Sequence, residues 1–292
     1  SIYGDSVAPA FCDVFERALP TSHADYLGWL TEVLERHKVD LLIPGIEIDL
    51  YHWIEHQDVI RSTGAYPLLN DSTLVHLCKD KWNFYEALLA ASQPCVIPSS
   101  LDSDFDLLAD RFGLPFLLKP RRGYGSKGLV LVDKKATFDL HEAKMGVELL
   151  AQPFVGTDDQ EFTTSLFGDG QGGYLASMTL RRALSRDGFT DRAEVVDTAP
   201  FDDTLISLCK QFRPLGPTNF QFRVCSGDVR LLEINPRISS STSIRSAFGY
   251  NESAMAAAYF LEGKIPSQPQ IRKGRAVRYT DEQVFYDNSF LI

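Results

Sequence analysis

Asn219-Phe220-Gln221-Phe222 and, a short turn later, Leu231-Leu232-Glu233-Ile234-Asn235-Pro236-Arg237 are the stretches from which both fold and chemistry are read. Side chains alternate across a strand, so Gln221 shares a face with Asn219, and Glu233 shares one with Asn235. If the two strands pair about the turn Ser226-Gly227-Asp228, one face gathers two or three hard oxygen donors. Such donors suit magnesium, or manganese as its substitute, with phosphate and water completing the shell. Arg237, just past the strand, adds a rigid cation at the same place. An exposed polar strand face would need nothing as specific as Glu-Ile-Asn-Pro-Arg.

Working outward, Phe116-Leu117-Leu118-Lys119 reads as an apolar strand from whose end Lys119 emerges. The loop Arg121-Arg122-Gly123-Tyr124-Gly125-Ser126-Lys127-Gly128 follows, and then a strand over 129–132. Its glycines let backbone N–H groups approach an anion, and Ser126 adds a hydroxyl. The spacing is neither that of a P-loop nor that of a dinucleotide-binding turn. An ordinary hairpin loop with solvated charges also fits it.

Gln152-Pro153-Phe154-Val155 closes another apolar strand and could offer backbone groups to an adenine edge, with Glu161 placed to bind ribose hydroxyls. A plain surface strand end reads the same way. Arg181-Arg182 and Arg186 could clamp an acyl phosphate or a carboxylate, or stand in solvent. Lys81 is either a helix-face lysine or a phosphate contact. The histidines, including the pair His52 and His56, lie outside these groups and read as structural.

The chain has 292 residues, 44% hydrophobic and 23% charged, enough for a substantial core and two or three domains. A net charge of −10 sets it against nucleic acid and anionic membrane, so any phosphate must meet a local basic site. Cys12, Cys78, Cys95, Cys209 and Cys225 are scattered and without a CxxC pair, which predicts reduced thiols in a cytoplasmic protein. No apolar run reaches the roughly eighteen residues of a membrane span, and the opening residues do not read as a charged-then-apolar leader.

Periodicity predicts helices over 25–37, 71–91, 105–112, 136–146, 201–212 and 252–262. Strands are expected at 39–43, 115–119, 129–132, 149–154, 162–167, 174–180, 218–224 and 229–234, and residues 2–4 could add one more. The opening segment reads as α/β without the strand and glycine turn that begin a complete doubly wound unit, so it looks incomplete. The remainder mixes strands and helices in an α+β manner.

Taken in order, Lys81, Lys119 with its glycine loop, Gln152-Pro153-Phe154-Val155, Glu161, Gln221 and Glu233-Ile-Asn-Pro-Arg237 resemble the ATP-grasp superfamily. The likeness covers about residues 70–262. It is greatest to the branch holding the carbamoyl-phosphate synthase large subunit and amino-acid ligases. The resemblance implies ATP sandwiched between two α+β subdomains, after a partial Rossmann-like preATP-grasp domain that residues 39–49 resemble. Domains are expected at 1–70 and 71–292, with a small lid at about 95–155. By the same resemblance, Lys81, Lys119 and Ser126 contact phosphates, 152–155 hold adenine and Glu161 the ribose. Gln221, Glu233 and Asn235 would hold the metal, while Arg237, Lys119 and Arg181 serve the transferred phosphoryl group. Many members have an acid where Gln221 stands, and one charge fewer leaves the number of magnesium ions open.

The implied activity is a carboxylate-amine ligase working through an acyl phosphate on small-molecule substrates, without nucleic acid or membrane, in a family whose members are often dimers. Phosphorylation of bicarbonate or carbamate and a non-catalytic ATP-binding module are the alternatives. Residues 239–243 and Arg245 are candidate substrate contacts, or simply a polar loop.

Overall fold

The computed structural model describes residues 2, 6–123, 128–186 and 188–285. Tyr3, Gly4 and the loop residues 124–127, Ser126 among them, lie outside these. Two compact units emerge, one from Ser1–Leu68 with Arg278–Ile292 and one from Leu69–Val277. The boundary at Leu69 adjoins the expected one, but the last segment groups with the first unit.

In the first unit, helix α1 (Tyr26–His37) buries Tyr26, Leu30 and Leu34, one stripe of the helical period. Strand β1 (Leu41–Leu42) is followed by helices α2 (Glu47–Glu55) and α3 (Gln57–Ser62) and strand β2 (Tyr66–Pro67). The strands pair in parallel, Leu41 with Tyr66. A two-residue parallel pair with helices does not by itself make a Rossmann-like domain. The His52 and His56 rings lie against each other at a tilt of 51°, and His37 bonds Glu16 at 2.8 Å.

The second unit opens with helices α4 (Ser72–Cys78) and α5 (Lys81–Ala90), where the sequence predicts one helix over 71–91. Two caps explain the break. Asp71 accepts from the Leu74 N–H, and Asp80 starts afresh by accepting from the Trp82 N–H. Lys81 thereby becomes the first residue of α5. Helix α6 (Phe105–Phe112) leads into strands β3 (Phe116–Pro120) and β4 (Val130–Val132), helix α7 (Lys135–Asp139) and strand β5 (Leu149–Pro153). These form a three-stranded antiparallel sheet in the order β4-β3-β5. Phe116, Leu118, Val132, Leu149 and Ala151 pack with Leu108 and Phe138 as its core. Alternation therefore sends Leu117, Lys119, Leu150 and Gln152 to the other face, where Lys119 is paired with Leu150 and Leu117 with Gln152.

Strands β6 (Glu161–Asp169), β7 (Tyr174–Leu184) and β8 (Thr190–Val196) then lead to helix α8 (Asp202–Phe212). After them come strands β9 (Leu215–Cys225) and β10 (Asp228–Asn235), helices α9 (Thr242–Ala247) and α10 (Glu252–Glu262), and strand β11 (Arg275–Val277). The six strands are antiparallel in the order β10-β9-β6-β7-β8-β11. The sequence does not predict β2, β8, β11, α2, α3 or α9, all short or without clear periodicity. One face of this sheet is apolar: Leu166, Phe220, Phe222, Leu231 and Ile234 pack on α4, α5 and α8 through Leu74, Phe84, Leu88, Leu205 and Leu208. Each such side chain contributes about 1.5–3 kcal/mol by leaving water. At Gly168, a Cβ would lie 2.0 Å from the Pro214 carbonyl oxygen, so only glycine lets β6 and the start of β9 approach this closely. The opposite face carries the polar side chains Glu161, Thr163, Asn219 and Gln221 on β6 and β9, beside the apolar Met178 and Leu180 of β7.

Candidate active site

Antiparallel pairing of β9 with β10 sets Glu233 opposite Gln221 and Asn235 opposite Asn219. A bulge between Leu231 and Glu233 keeps Leu231 and Ile234 in the core while Glu233 and Asn235 face the other way. Asn235 Nδ2 donates to Glu233 Oε1 at 3.0 Å, which leaves the amide oxygen out of that bond. Burial disfavours the charge on Glu233, but Lys81, the Asn235 amide, Lys119 and Arg182 outweigh it and hold the carboxyl below its ordinary range. The charges that favour the ionised Glu233 thus come from other elements.

Two of those cations come from outside the large sheet. The Lys81 backbone N–H donates to Arg121 O, and its Nζ donates to Gly123 O at 3.0 Å. Lys119 has no hydrogen-bond partner among the described residues. Desolvation, opposed by Glu233 and reinforced by Lys81, brings its ammonium down to about 8. The two loop arginines behave differently from expectation. Asp80, 3% exposed, holds Arg121 at 3.0 Å and Arg122 at 3.2 Å. Arg121 also donates to Gly146 O at 2.6 Å. Buried carboxylates demand such pairing, so Arg121 anchors the base of the loop, while Arg122 keeps 72% of its side chain exposed.

Gln152 is buried, with Nε2 donating to Ser99 Oγ at 2.8 Å and Oε1 without a partner. Pro153 ends β5, and Phe154, 42% exposed, lies beneath the Arg223 guanidinium. Val155 O accepts from Arg223 Nη1 at 3.2 Å, so fewer backbone groups of this segment are open than its sequence suggests. Glu161 has one oxygen on Arg182 at 2.9 Å and the other on Arg223 at 3.0 Å. With its carboxylate held this way and 4% exposed, Glu161 is the centre of a buried ion-pair cluster.

Arg181 also stands elsewhere than expected. It pairs across β6 with Phe162 and bonds Glu194 at 2.5 Å on the helix-covered side of the sheet, half exposed. Its neighbour Arg182, 8% exposed, takes the polar face and donates to both Glu161 and Gln221. The choice between the paired arginines is decided by strand phase: Met178, Leu180 and Arg182 share a face. Arg237 Nη1 donates to Ile238 O at 2.8 Å, just beyond the metal string.

Below the charged end of this face lies a fully buried polar network that sequence reading did not assemble. Arg245 on α9 bonds the Ser239 hydroxyl, Thr163 Oγ1 at 3.0 Å and Asn219 Oδ1 at 2.9 Å. Glu252 on α10 lies 3.7 Å from it and accepts from Ser165 Oγ at 2.5 Å. With no exposure at all, Arg245 holds the segment after Arg237 in place and is not a substrate contact. Nothing in the string 239–245 signals this; it depends on β6 and α10.

The donor set fits magnesium bound together with phosphate. Glu233 and Asn235 supply two oxygens, the number used where the ion shares its shell with phosphates and water. No group of three or more His, Cys, Asp or Glu side chains gathers among the described residues. All five cysteines are free thiols, and no described helix is long and apolar enough to cross a membrane.

Residues 158–283 match the family model described as ATP-grasp in the biosynthetic pathway with Ter operon. No curated protein matches the chain. Among solved structures, the biotin carboxylase domain of Hydrogenobacter thermophilus 2-oxoglutarate carboxylase, solved with MgADP and bicarbonate, is similar at a TM-score of 0.68 and 15% identity, over 88% of this chain and 62% of that one. Carboxyaminoimidazole ribonucleotide synthase from Aspergillus clavatus, complexed with ATP, gives 0.68 and 16% over 92% and 71%. Rhizobium etli pyruvate carboxylase gives 0.67 and 14% over 90% and 26%. The chain therefore spans less than two thirds of the length of the two carboxylases. It has the ATP-grasp fold, and its residues 158–283 match an ATP-grasp family by sequence.

Proposed function

We propose that the chain is an ATP- and magnesium-dependent ligase that joins a carboxylate to an amine through an acyl phosphate. The observation that carries this reading is the register of β9 on β10, which sets Glu233 opposite Gln221 and Asn235 opposite Asn219, with Glu233 in the electrostatic range of Lys81 and Lys119. Magnesium, when bound, neutralises phosphate charge and orients the γ-phosphoryl group. Glu233 and Asn235 would hold it, while Lys81 and Lys119 meet phosphate oxygens and Arg237 steadies the group in transfer.

In the first step a carboxylate oxygen bonds to the γ-phosphorus as the bond to the β-bridging oxygen breaks, releasing ADP. An amine then attacks the acyl carbon, and phosphate leaves as the nitrogen loses a proton. Such chemistry needs positioning and charge neutralisation and no covalent nucleophile. Similarity to carboxylases favours one second reading, in which bicarbonate is the carboxylate that is phosphorylated.

Magnesium-dependent ADP release against a panel of amino acids, dicarboxylates and bicarbonate tests both. Release that requires one panel member and falls on the order of 100- to 1000-fold in Glu233→Gln is expected. ATP binding without turnover above that variant for any panel member would overturn the ligase reading and leave a binding module.

A further inference from the structure

Three oxygen-bearing side chains meet at the charged end of the polar face, and they are not equivalent. Glu233 bonds only the amide of Asn235 among the described residues. Gln221, directly opposite it, is neutral, and its Oε1 accepts from Arg182 Nη2 at 2.6 Å. Glu161 has both oxygens on arginines, Arg182 at 2.9 Å and Arg223 at 3.0 Å. Arg182 is 8% exposed and held by two partners, so its charge is fixed beside Gln221. A metal ion ligated by Gln221 Oε1 would share that oxygen with Arg182 and sit against its guanidinium, charge against charge.

We propose that the site binds one magnesium ion per nucleotide, on Glu233 and Asn235, and that Arg182 supplies the positive charge on the Gln221 side, where a second ion would otherwise bridge. This rests on the ATP-ligase reading, which itself does not depend on ion number. Gln221, expected as a metal ligand, becomes the acceptor that orients Arg182. Arginine suits that place: it is permanently charged and offers donors in a fork that phosphate or carboxylate oxygens can share.

Counting ions tests the proposal without turnover. The intact chain is titrated with manganese in the presence of saturating ADP, and bound metal is counted by electron paramagnetic resonance and, for magnesium, by elemental analysis after equilibrium dialysis. One ion per bound nucleotide is expected. The double variant Arg182→Gln with Gln221→Glu, which exchanges the cation for a second carboxylate, is expected to bind two. Two ions per nucleotide in the unaltered protein would overturn the proposal while leaving the ligase reading intact. Failure of ADP to bind at any metal concentration would overturn both. The count on the unaltered protein decides the matter even if the double variant does not fold.

Discussion

The two sheets of the second unit contribute to the site in opposite ways. On the six-stranded sheet most charges of the site are already partnered, Glu161 with Arg182 and Arg223 and Arg182 with Gln221, and Arg245 of α9 pairs with Glu252 of α10 against it. On the three-stranded sheet, Lys119 stands on the face away from the core with no hydrogen-bond partner among the described residues. A paired, buried network costs its desolvation during folding and is rigid thereafter. A desolvated lone ammonium has that cost unrelieved until an anion arrives. The large sheet is a preformed platform, and the small one carries a charge that a ligand must satisfy.

The largest effect should come from breaking the platform. Arg182→Met leaves Glu161 with Arg223 alone and Gln221 without its donor, at a cost on the order of 3 kcal/mol or more. Chemical denaturation would measure it, and loss of less than about 1 kcal/mol would show that the network is not what stiffens this face. Asp80→Asn should cost about as much, because Arg121, at 19% side-chain exposure, would lose its counter-charge.

How much of this was legible beforehand follows the range of the interactions. Alternation within a strand is local, so the sharing of a face by Asn219 with Gln221 and by Glu233 with Asn235 could be read from the string, whereas the pairing of Gln221 with Glu233 depends on the bulge after Leu231. The helices at 105–112 and 252–262 match in the same way, each carrying its own cap in Asp104 and Asn251. The sequence alone does not distinguish Arg181 from Arg182, since two adjacent arginines look alike until the register of β7 on β6 is known. The Arg245 network joins Thr163, Asn219 and Glu252 across 82, 26 and 7 positions of the chain, beyond any local pattern. The break between α4 and α5 could have been found: Asp80 before Lys81 is a capping residue, as Asp71 is before Ser72.

On the small sheet the comparison predicts a ligand effect with no stability loss. Lys119→Met should weaken ADP binding about 10- to 100-fold, by loss of a charge-assisted contact. Its thermal midpoint without nucleotide should be equal or higher, since a desolvated charge is removed. Titration gives the same result by another route. With the ammonium at about 8 in the folded chain and its ordinary value higher, the unfolded chain binds more protons between the two. That group therefore destabilises the fold below about pH 8, and the penalty is relieved as pH rises. Phosphate oxygens reverse the preference by holding the proton on, so ADP affinity should fall above pH 8 by up to about tenfold per unit. Isothermal titration in buffers of different ionisation enthalpy would detect the proton taken up on binding, and Lys119→Met should abolish that uptake.

The smallest expected effect is the sharpest control on strand phase. Arg181 pairs with Glu194 at a half-exposed place on the other side of the same strand, and exposed pairs contribute less than about 1 kcal/mol. Arg181→Ala should therefore change stability by less than that and leave ADP release and metal count untouched. Arg182→Met, one position along, should alter all three. Were Arg181→Ala to abolish ADP release while the protein stayed folded, the polar face of the large sheet would be the wrong face for the reaction. The assignment of Arg182, Gln221 and Glu161 would fall with it. The difference between two neighbouring arginines thus tests the platform without relying on any ligand geometry.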